Sequence, residues 1–116
     1  MATITLYHNP RCSKSRAALE LLTQRDVQVQ VVKYLETPPD ESELADLIRR
    51  LGDEASNIVR TGEREIRELG VDGAELSPAD TARLLARHPR LLQRPIAISG
   101  TRAVIGRPPE RVLELL

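Results

Sequence analysis

The chain has 116 residues, which is the common size of one folded domain, and we predict a single domain over residues 1–116. Its 17 basic and 17 acidic residues give a formal net charge of zero, so no basic field attracts nucleic acid or an anionic membrane, and neither is an expected partner. A single cysteine excludes an internal disulfide, and the sequence has no signal-peptide pattern or membrane-spanning apolar run, so we expect a cytoplasmic protein.

The first elements predict a βαβ unit. Ile4 and Leu6 alternate with polar residues, which is typical of a half-buried strand, and this strand should stop near His8. A stripe of Ala and Leu predicts a helix from Ser13 onward. Alternating Val and Gln over residues 27–31 predict a second strand. Such a unit has two parallel strands joined by a right-handed crossover, with the strand-to-helix turn available for a ligand.

Two further helices have recognisable N-caps. Asp40 with Glu43 three residues later forms a capping-box pattern, and the apolar stripe that follows ends before Gly52. Ser77 is followed by proline at the first helical position, and this helix should end near Arg87. Between the two, a charged stretch has short helical signals over residues 55–59 and 63–69.

The C-terminal part predicts a ββα unit. Apolar residues at 95–98 and 103–105 flank Ser99-Gly100-Thr101, a pattern typical of a β-hairpin. Pro108-Pro109-Glu110 opens a last helix that reaches Leu116. The predicted order is therefore βαβ, several helices, then ββα. This order matches an α/β protein with a thioredoxin-like fold, whose βαβ and ββα halves are separated here by a helical insertion.

Cys12 is the candidate nucleophile. It lies where the first strand gives way to the first helix, and the unpaired N–H groups of a helix N-terminus favour an anion. Arg11, Lys14, Arg16 and His8 are expected to add positive charge, so the pKa of the thiol should be lowered. The alternative is a small buried cysteine that packs like an apolar residue.

Several spaced segments resemble the glutaredoxin-dependent arsenate reductase family (ArsC-like), and most closely its short members. They are His8-Asn9-Pro10-Arg11-Cys12-Ser13-Lys14-Ser15-Arg16, Tyr34-Leu35-Glu36-Thr37-Pro38-Pro39, Arg94-Pro95-Ile96 and Gly106-Arg107-Pro108-Pro109-Glu110. This resemblance runs nearly from end to end of the chain. It also implies a cis peptide bond before Pro95, facing the active cysteine.

The resemblance implies a role for each of six side chains. Cys12 would attack arsenate, His8 would help to lower the pKa of that cysteine, and the Ser15 hydroxyl would donate to the thiolate. The oxyanion would be held by three arginines: Arg60, Arg94 and Arg107. Guanidinium groups suit a tetrahedral oxyanion because they offer paired hydrogen bonds. Each arginine has the alternative interpretation of a surface charge or an ion-pair partner.

The resemblance further implies a cycle with external thiols. Glutathione would reduce the thiol–arsenate adduct, and glutaredoxin would cleave the mixed species that results. No metal or bound cofactor is expected, glutathione is a co-substrate, and we expect a monomer. One alternative is a thiol-redox enzyme that acts on glutathione mixed disulfides. Another is a partner-binding regulator related to RNA polymerase-binding redox sensors, although those usually carry Cys-x-x-Cys and this chain has Ser15 at the second position.

Overall fold

The computed structural model describes residues 2–60, 68–70 and 76–116. The chain divides into two compact units. The first comprises Met1–Thr37 together with Arg94–Leu116, and the second comprises Pro38–Gln93. The second unit is thus inserted in sequence between the two halves of the first. The single domain over residues 1–116 stays a prediction.

The first unit is built on a four-stranded sheet of order β2-β1-β3-β4. Strand β1 pairs in parallel with β2 and antiparallel with β3, which pairs antiparallel with β4. The elements of this unit are β1 (Ala2–His8), α1 (Ser13–Thr23), β2 (Val27–Lys33), β3 (Ile96–Ser99), β4 (Arg102–Ile105) and a C-terminal 3₁₀ helix (Pro109–Leu115). This arrangement confirms the predicted α/β, thioredoxin-like fold with βαβ and ββα halves.

An aliphatic core joins the sheet to α1 and to the C-terminal 3₁₀ helix. Because the sequence contains no Phe or Trp, branched side chains and alanines fill this space. The buried cluster consists of Ile4, Leu6, Ala18, Leu22, Ala97, Val104 and Val112. Strand β1 contributes alternate residues to it, as the period-two pattern predicts, and its last residue is His8. The core therefore fixes the end of β1, from which the cysteine loop departs.

The second unit contains α2 (Glu41–Leu51) and α3 (Pro78–Arg87), which pack against each other. The predicted capping box at Asp40 is present, with Glu43 N donating to Asp40 Oδ1 at 2.8 Å and Asp40 N donating to Glu43 Oε1 at 3.2 Å. Ser77 caps α3 by accepting from Asp80 N at 3.1 Å. Both helix starts are thus confirmed, and each rests on a side chain close in sequence to the N–H that it satisfies.

The region after α2 differs from the predicted helix over residues 55–59. A 3₁₀ helix covers Gly52–Asn57 instead, and Val59 forms an antiparallel bridge with Leu92. Hydrogen bonds to a distant segment hold this bridge, with Arg60 N donating to the carbonyl of Leu91 at 2.7 Å. Local periodicity does not reveal such a pairing. Of the predicted helix over residues 63–69, only 68 and 69 lie within the described residues.

Candidate active site

The loop between β1 and α1 presents Cys12 at the start of the helix. Asn9 shapes this loop, because its Oδ1 accepts from Arg11 N and its carbonyl accepts from Cys12 N, both at 3.0 Å. Cys12 is the N-cap residue of α1, with extended backbone angles. It is 9% exposed, so it is largely desolvated but keeps some contact with solvent. The predicted position at the helix start is confirmed.

The pKa of the Cys12 thiol is lowered from its ordinary value. Burial by itself raises this pKa, but hydrogen bonds that favour the thiolate outweigh the effect of burial. They come from the backbone N–H of Ser15, the side chain of Arg94 and the backbone N–H of Lys14, and the charge of Arg94 adds to them. The helix N-terminus and one guanidinium therefore produce a stabilised thiolate, as expected for a reactive cysteine.

His8 and Ser15 form a buried pair beside this loop. His8 Nδ1 lies 2.6 Å from the Ser15 hydroxyl oxygen, which also accepts from Asn9 N at 3.0 Å. The hydroxyl is thus engaged with the end of β1, and it is the backbone N–H of Ser15 that lowers the pKa of Cys12. Donation by the hydroxyl to the thiolate, which the resemblance implies, stays a prediction.

The charge state of His8 differs from the expectation. Burial, Lys33 and Arg16 together lower the pKa of His8 below 6.5, so the imidazole is neutral at neutral pH. It therefore adds no positive charge beside the thiol there. Its contact with Ser15 links β1 to the first turn of α1, on which the orientation of the Ser15 N–H depends.

Arg94 and Arg107 approach the thiol from the C-terminal half of the first unit. Arg107 Nη2 lies 4.0 Å from Cys12 Sγ, a long N–H···S contact across 95 positions of sequence. Arg107 Nε donates to the carbonyl of Arg94 at 2.9 Å, which ties the two arginine segments together. The structure thus brings three of the predicted site residues together, on segments that are far apart in the chain.

The two arginine segments have an unusual backbone. The Arg94–Pro95 bond is cis, as the resemblance implies, and the Arg107–Pro108 bond is also cis. Gly106 N donates to the carbonyl of Pro95 at 2.8 Å. A Cβ on Gly106 would lie 2.7 Å from Pro95 Cγ, so only glycine fits at this contact. Close packing of Gly106 on Pro95 holds the two arginines at a fixed separation.

The remaining predicted arginine, Arg60, belongs to the second unit. Its backbone is held by the bridge described above, in which Arg60 N donates to Leu91. Its side chain is partly buried. A role for Arg60 at the oxyanion stays a prediction that rests on the resemblance.

Sequence reasoning missed Tyr34 as a site residue. The tyrosine follows β2 directly and is fully buried in the first unit. Its phenol is close enough to Arg94, Asn9 and Cys12 for each to affect its pKa. The available signal was the parallel pairing of β1 with β2, which brings the carboxyl ends of both strands to one edge of the sheet.

Within the part of the chain that the structure describes, no group of three or more His, Cys, Asp or Glu side chains is arranged to hold a metal ion. No helix among the described residues has the length and apolar character needed to cross a membrane. The chemistry that this arrangement supports is that of a low-pKa thiolate beside two guanidinium groups. A thiolate so placed can attack an anionic electrophile, because the guanidinium groups offset the repulsion between two anions.

Comparison with known proteins identifies the family of this chain. A sequence model of the ArsC family matches residues 7–115. The chain is 46% identical to an arsenate reductase of Neisseria meningitidis, with all of both chains covered, and 39% identical to an arsenate reductase of Haemophilus influenzae over 98% of this chain and 99% of that one. A solved arsenate reductase from Vibrio cholerae superposes with a TM-score of 0.91 at 42% identity, covering 99% of this chain and 98% of that one. The chain belongs to the ArsC family.

Proposed function

We propose that the protein reduces arsenate to arsenite through a thiol–arsenate intermediate on Cys12, with glutathione and glutaredoxin as external reductants. The observation that carries the proposal is the Cys12 thiol of lowered pKa with Arg94 and Arg107 beside it. The names of the relatives support arsenate as the substrate. A cytoplasmic, monomeric protein with no bound cofactor is part of the proposal, since a reducing compartment keeps Cys12 as a thiol.

The first step is attack by the Cys12 thiolate on arsenic. An As–S bond forms, and the hydroxyl of hydrogen arsenate takes up one proton and leaves as water, while arsenic stays pentavalent. Arg94 and Arg107 hold the remaining oxygens and stabilise the charge that develops on them. Arg60 is the proposed third arginine. His8 and Ser15 act by holding the first turn of α1 in place.

The second step is the reduction of arsenic. Glutathione attacks the Cys12 sulfur, an S–S bond forms, and the As–S bond breaks. The electron pair of that bond stays on arsenic, which becomes trivalent and leaves as arsenite after taking up protons. Glutaredoxin then cleaves the Cys12–glutathione disulfide by thiol–disulfide exchange. An external thiol is required because the chain has no second cysteine with which to form an internal disulfide.

A thiol-redox enzyme acting on glutathione mixed disulfides is the second candidate, favoured by the same single low-pKa cysteine. A partner-binding regulator without catalysis is the third. Oxyanion binding separates the arsenate reductase from both, because only the first needs guanidinium groups to hold a dianion at the thiol.

The test is arsenate-dependent oxidation of NADPH, coupled through glutathione, glutaredoxin and glutathione reductase. We expect turnover by the wild type, none by Cys12→Ser, and a severe loss in Arg94→Ala. Arg60→Ala tests the third arginine in the same assay. Arg102→Gln is the matched control, because Arg102 is exposed and begins β4 at the end away from Arg107. Substantial turnover by Cys12→Ser would remove the hypothesis, and inactivity of reduced, folded wild type would favour the other candidates.

A further inference from the structure

The tyrosine after β2 is brought to the cysteine loop by strand register. Strands β1 and β2 run parallel, with His8 paired to Lys33. The next residues, Asn9 and Tyr34, therefore leave the same edge of the sheet side by side. Tyr34 is 0% exposed and is among the largest fully buried side chains of the protein. Its position beside Asn9 puts a phenol at the loop that presents Cys12.

The hydroxyl of Tyr34 has no hydrogen-bond partner among the described residues. The side chains of Asn9 and Arg94 are close enough to the phenol to affect its pKa. Asn9 already accepts from Arg11 N with its Oδ1, so the Asn9 amide N–H groups are what it can offer Tyr34. Arg94 has only N–H groups to offer. Both neighbouring side chains can therefore only donate, and neither can accept the phenol hydrogen.

A buried hydroxyl without an acceptor is unusual, because burial removes its hydrogen bond to water and returns nothing. The Cys12 thiolate does not fill this role, since Sγ is not at hydrogen-bonding geometry from the hydroxyl. Burial raises the pKa of Tyr34 and the nearby Cys12 charge adds a smaller increase, so the phenol stays protonated at neutral pH. The acceptor that is lacking has to lie near both Arg94 and Cys12.

We infer that the Tyr34 hydroxyl is a substrate-binding donor, which hydrogen bonds to an oxygen of the tetrahedral oxyanion held against Cys12 by Arg94 and Arg107. The inference rests on the proposed function and extends it with a neutral, directional donor. Guanidinium groups attract any anion, whereas a rigid buried hydroxyl selects a ligand with an oxygen at one defined position. Tyr34 would thus favour binding of a tetrahedral oxyanion over binding of a simple monovalent anion such as chloride.

Tyr34→Phe tests this inference because it removes one oxygen and keeps the ring that fills the core. The probe is inorganic phosphate, an unreactive tetrahedral oxyanion, and the readout is its protection of Cys12 from alkylation by iodoacetamide. Sodium chloride at equal ionic strength controls for screening. We expect the phosphate concentration that gives half protection to rise about tenfold in Tyr34→Phe, which corresponds to about 1.4 kcal/mol.

Two further readouts separate this role from a structural one. Without phosphate, the pH dependence of alkylation should be the same in both proteins, because Tyr34 does not hydrogen bond to the thiolate. The Tm of Tyr34→Phe should equal or exceed that of the wild type, because the variant loses a buried group without an acceptor. A lower Tm with unchanged phosphate protection would overturn the inference and make the hydroxyl structural.

The remaining outcomes distinguish this inference from the proposed function. Equal protection by phosphate in the two proteins overturns the role of Tyr34 and leaves the oxyanion site intact. A raised Cys12 pKa in Tyr34→Phe with unchanged phosphate protection overturns it too, and assigns the hydroxyl to the thiolate. If phosphate protects Tyr34→Phe less well than the wild type, but the wild type does not turn over arsenate, the binding role of Tyr34 is supported and the proposed reaction is refuted. If phosphate does not protect Cys12 of the wild type, both the role of Tyr34 and the proposed function are refuted.

Discussion

The two arginines near Cys12 should lower the pKa of its thiol by different amounts. Arg94 lowers the pKa of the thiol both as a hydrogen-bond donor and as a charge, whereas Arg107 is at the long distance of 4.0 Å. We therefore expect Arg94→Gln to raise the pKa of Cys12 more than Arg107→Gln does. Arg102→Gln should leave it unchanged, because Arg102 is an exposed residue whose guanidinium donates to the Glu114 carbonyl at 3.3 Å.

The expected magnitudes follow from these contacts. A hydrogen bond to a charged group contributes about 1.5–3 kcal/mol, so its loss in Arg94→Gln should lower the thiolate-to-thiol ratio about tenfold to a hundredfold at a given pH. For Arg107, a charge 4.0 Å from the sulfur contributes about 1 kcal/mol in a water-like surrounding and about 4 kcal/mol at the lower effective dielectric constant typical of pairs near a protein surface. Because the lowered pKa of Cys12 comes from the N–H groups of Ser15 and Lys14 and from Arg94, and Arg107 is not among its causes, the lower figure applies, and Arg107→Gln should lower the ratio about fivefold.

The assay is a pH titration of the ultraviolet absorbance of the thiolate, followed in parallel by the rate of alkylation with iodoacetamide. Cys12 is the single cysteine, so both signals report on one group. Circular dichroism of each variant establishes that it is folded. A larger rise in the pKa of Cys12 in Arg107→Gln than in Arg94→Gln would refute the expected ranking of the two arginines. No effect from either variant would assign the lowered pKa to the N–H groups of α1 alone.

Two other predictions concern His8, at the end of β1, and Gly106, which packs on Pro95. The pKa of His8 is lowered in the folded state, so as the pH falls below about 6.5 the imidazole is protonated in the unfolded chain before it is protonated in the native protein. The free energy of unfolding should therefore decrease as the pH falls, until the native His8 is protonated as well. His8→Gln should flatten that part of a plot of Tm against pH, and an unchanged slope would contradict the assignment. Gly106→Ala should cost about 1–3 kcal/mol of unfolding free energy, because its Cβ would overlap Pro95. Denaturant titration measures this loss. Gly100→Asn, at a φ of +58° in open space, should cost less, and equal losses would argue against the overlap.

Much of the fold could be predicted because its signals are local. The capping box at Asp40, the N-cap at Ser77 and the start of α1 after Cys12 each involve groups within about one helical turn. The alternation in β1 and β2 has the same local character. By contrast, the short helical signals over residues 55–59 do not reveal that Val59 pairs with Leu92, because that pairing depends on a segment more than thirty positions away.

The same division applies to the candidate site. The sequence by itself determined where the candidate nucleophile lies, because a cysteine between a strand and a helix is presented at an N-terminus whatever the rest of the chain does. Only the tertiary structure decided which groups surround it. The engagement of the Ser15 hydroxyl by His8, the approach of Arg107 to Sγ and the burial of the Tyr34 hydroxyl all join segments that are separate in sequence. Such contacts depend on packing and burial in three dimensions, and no periodicity along the chain encodes them.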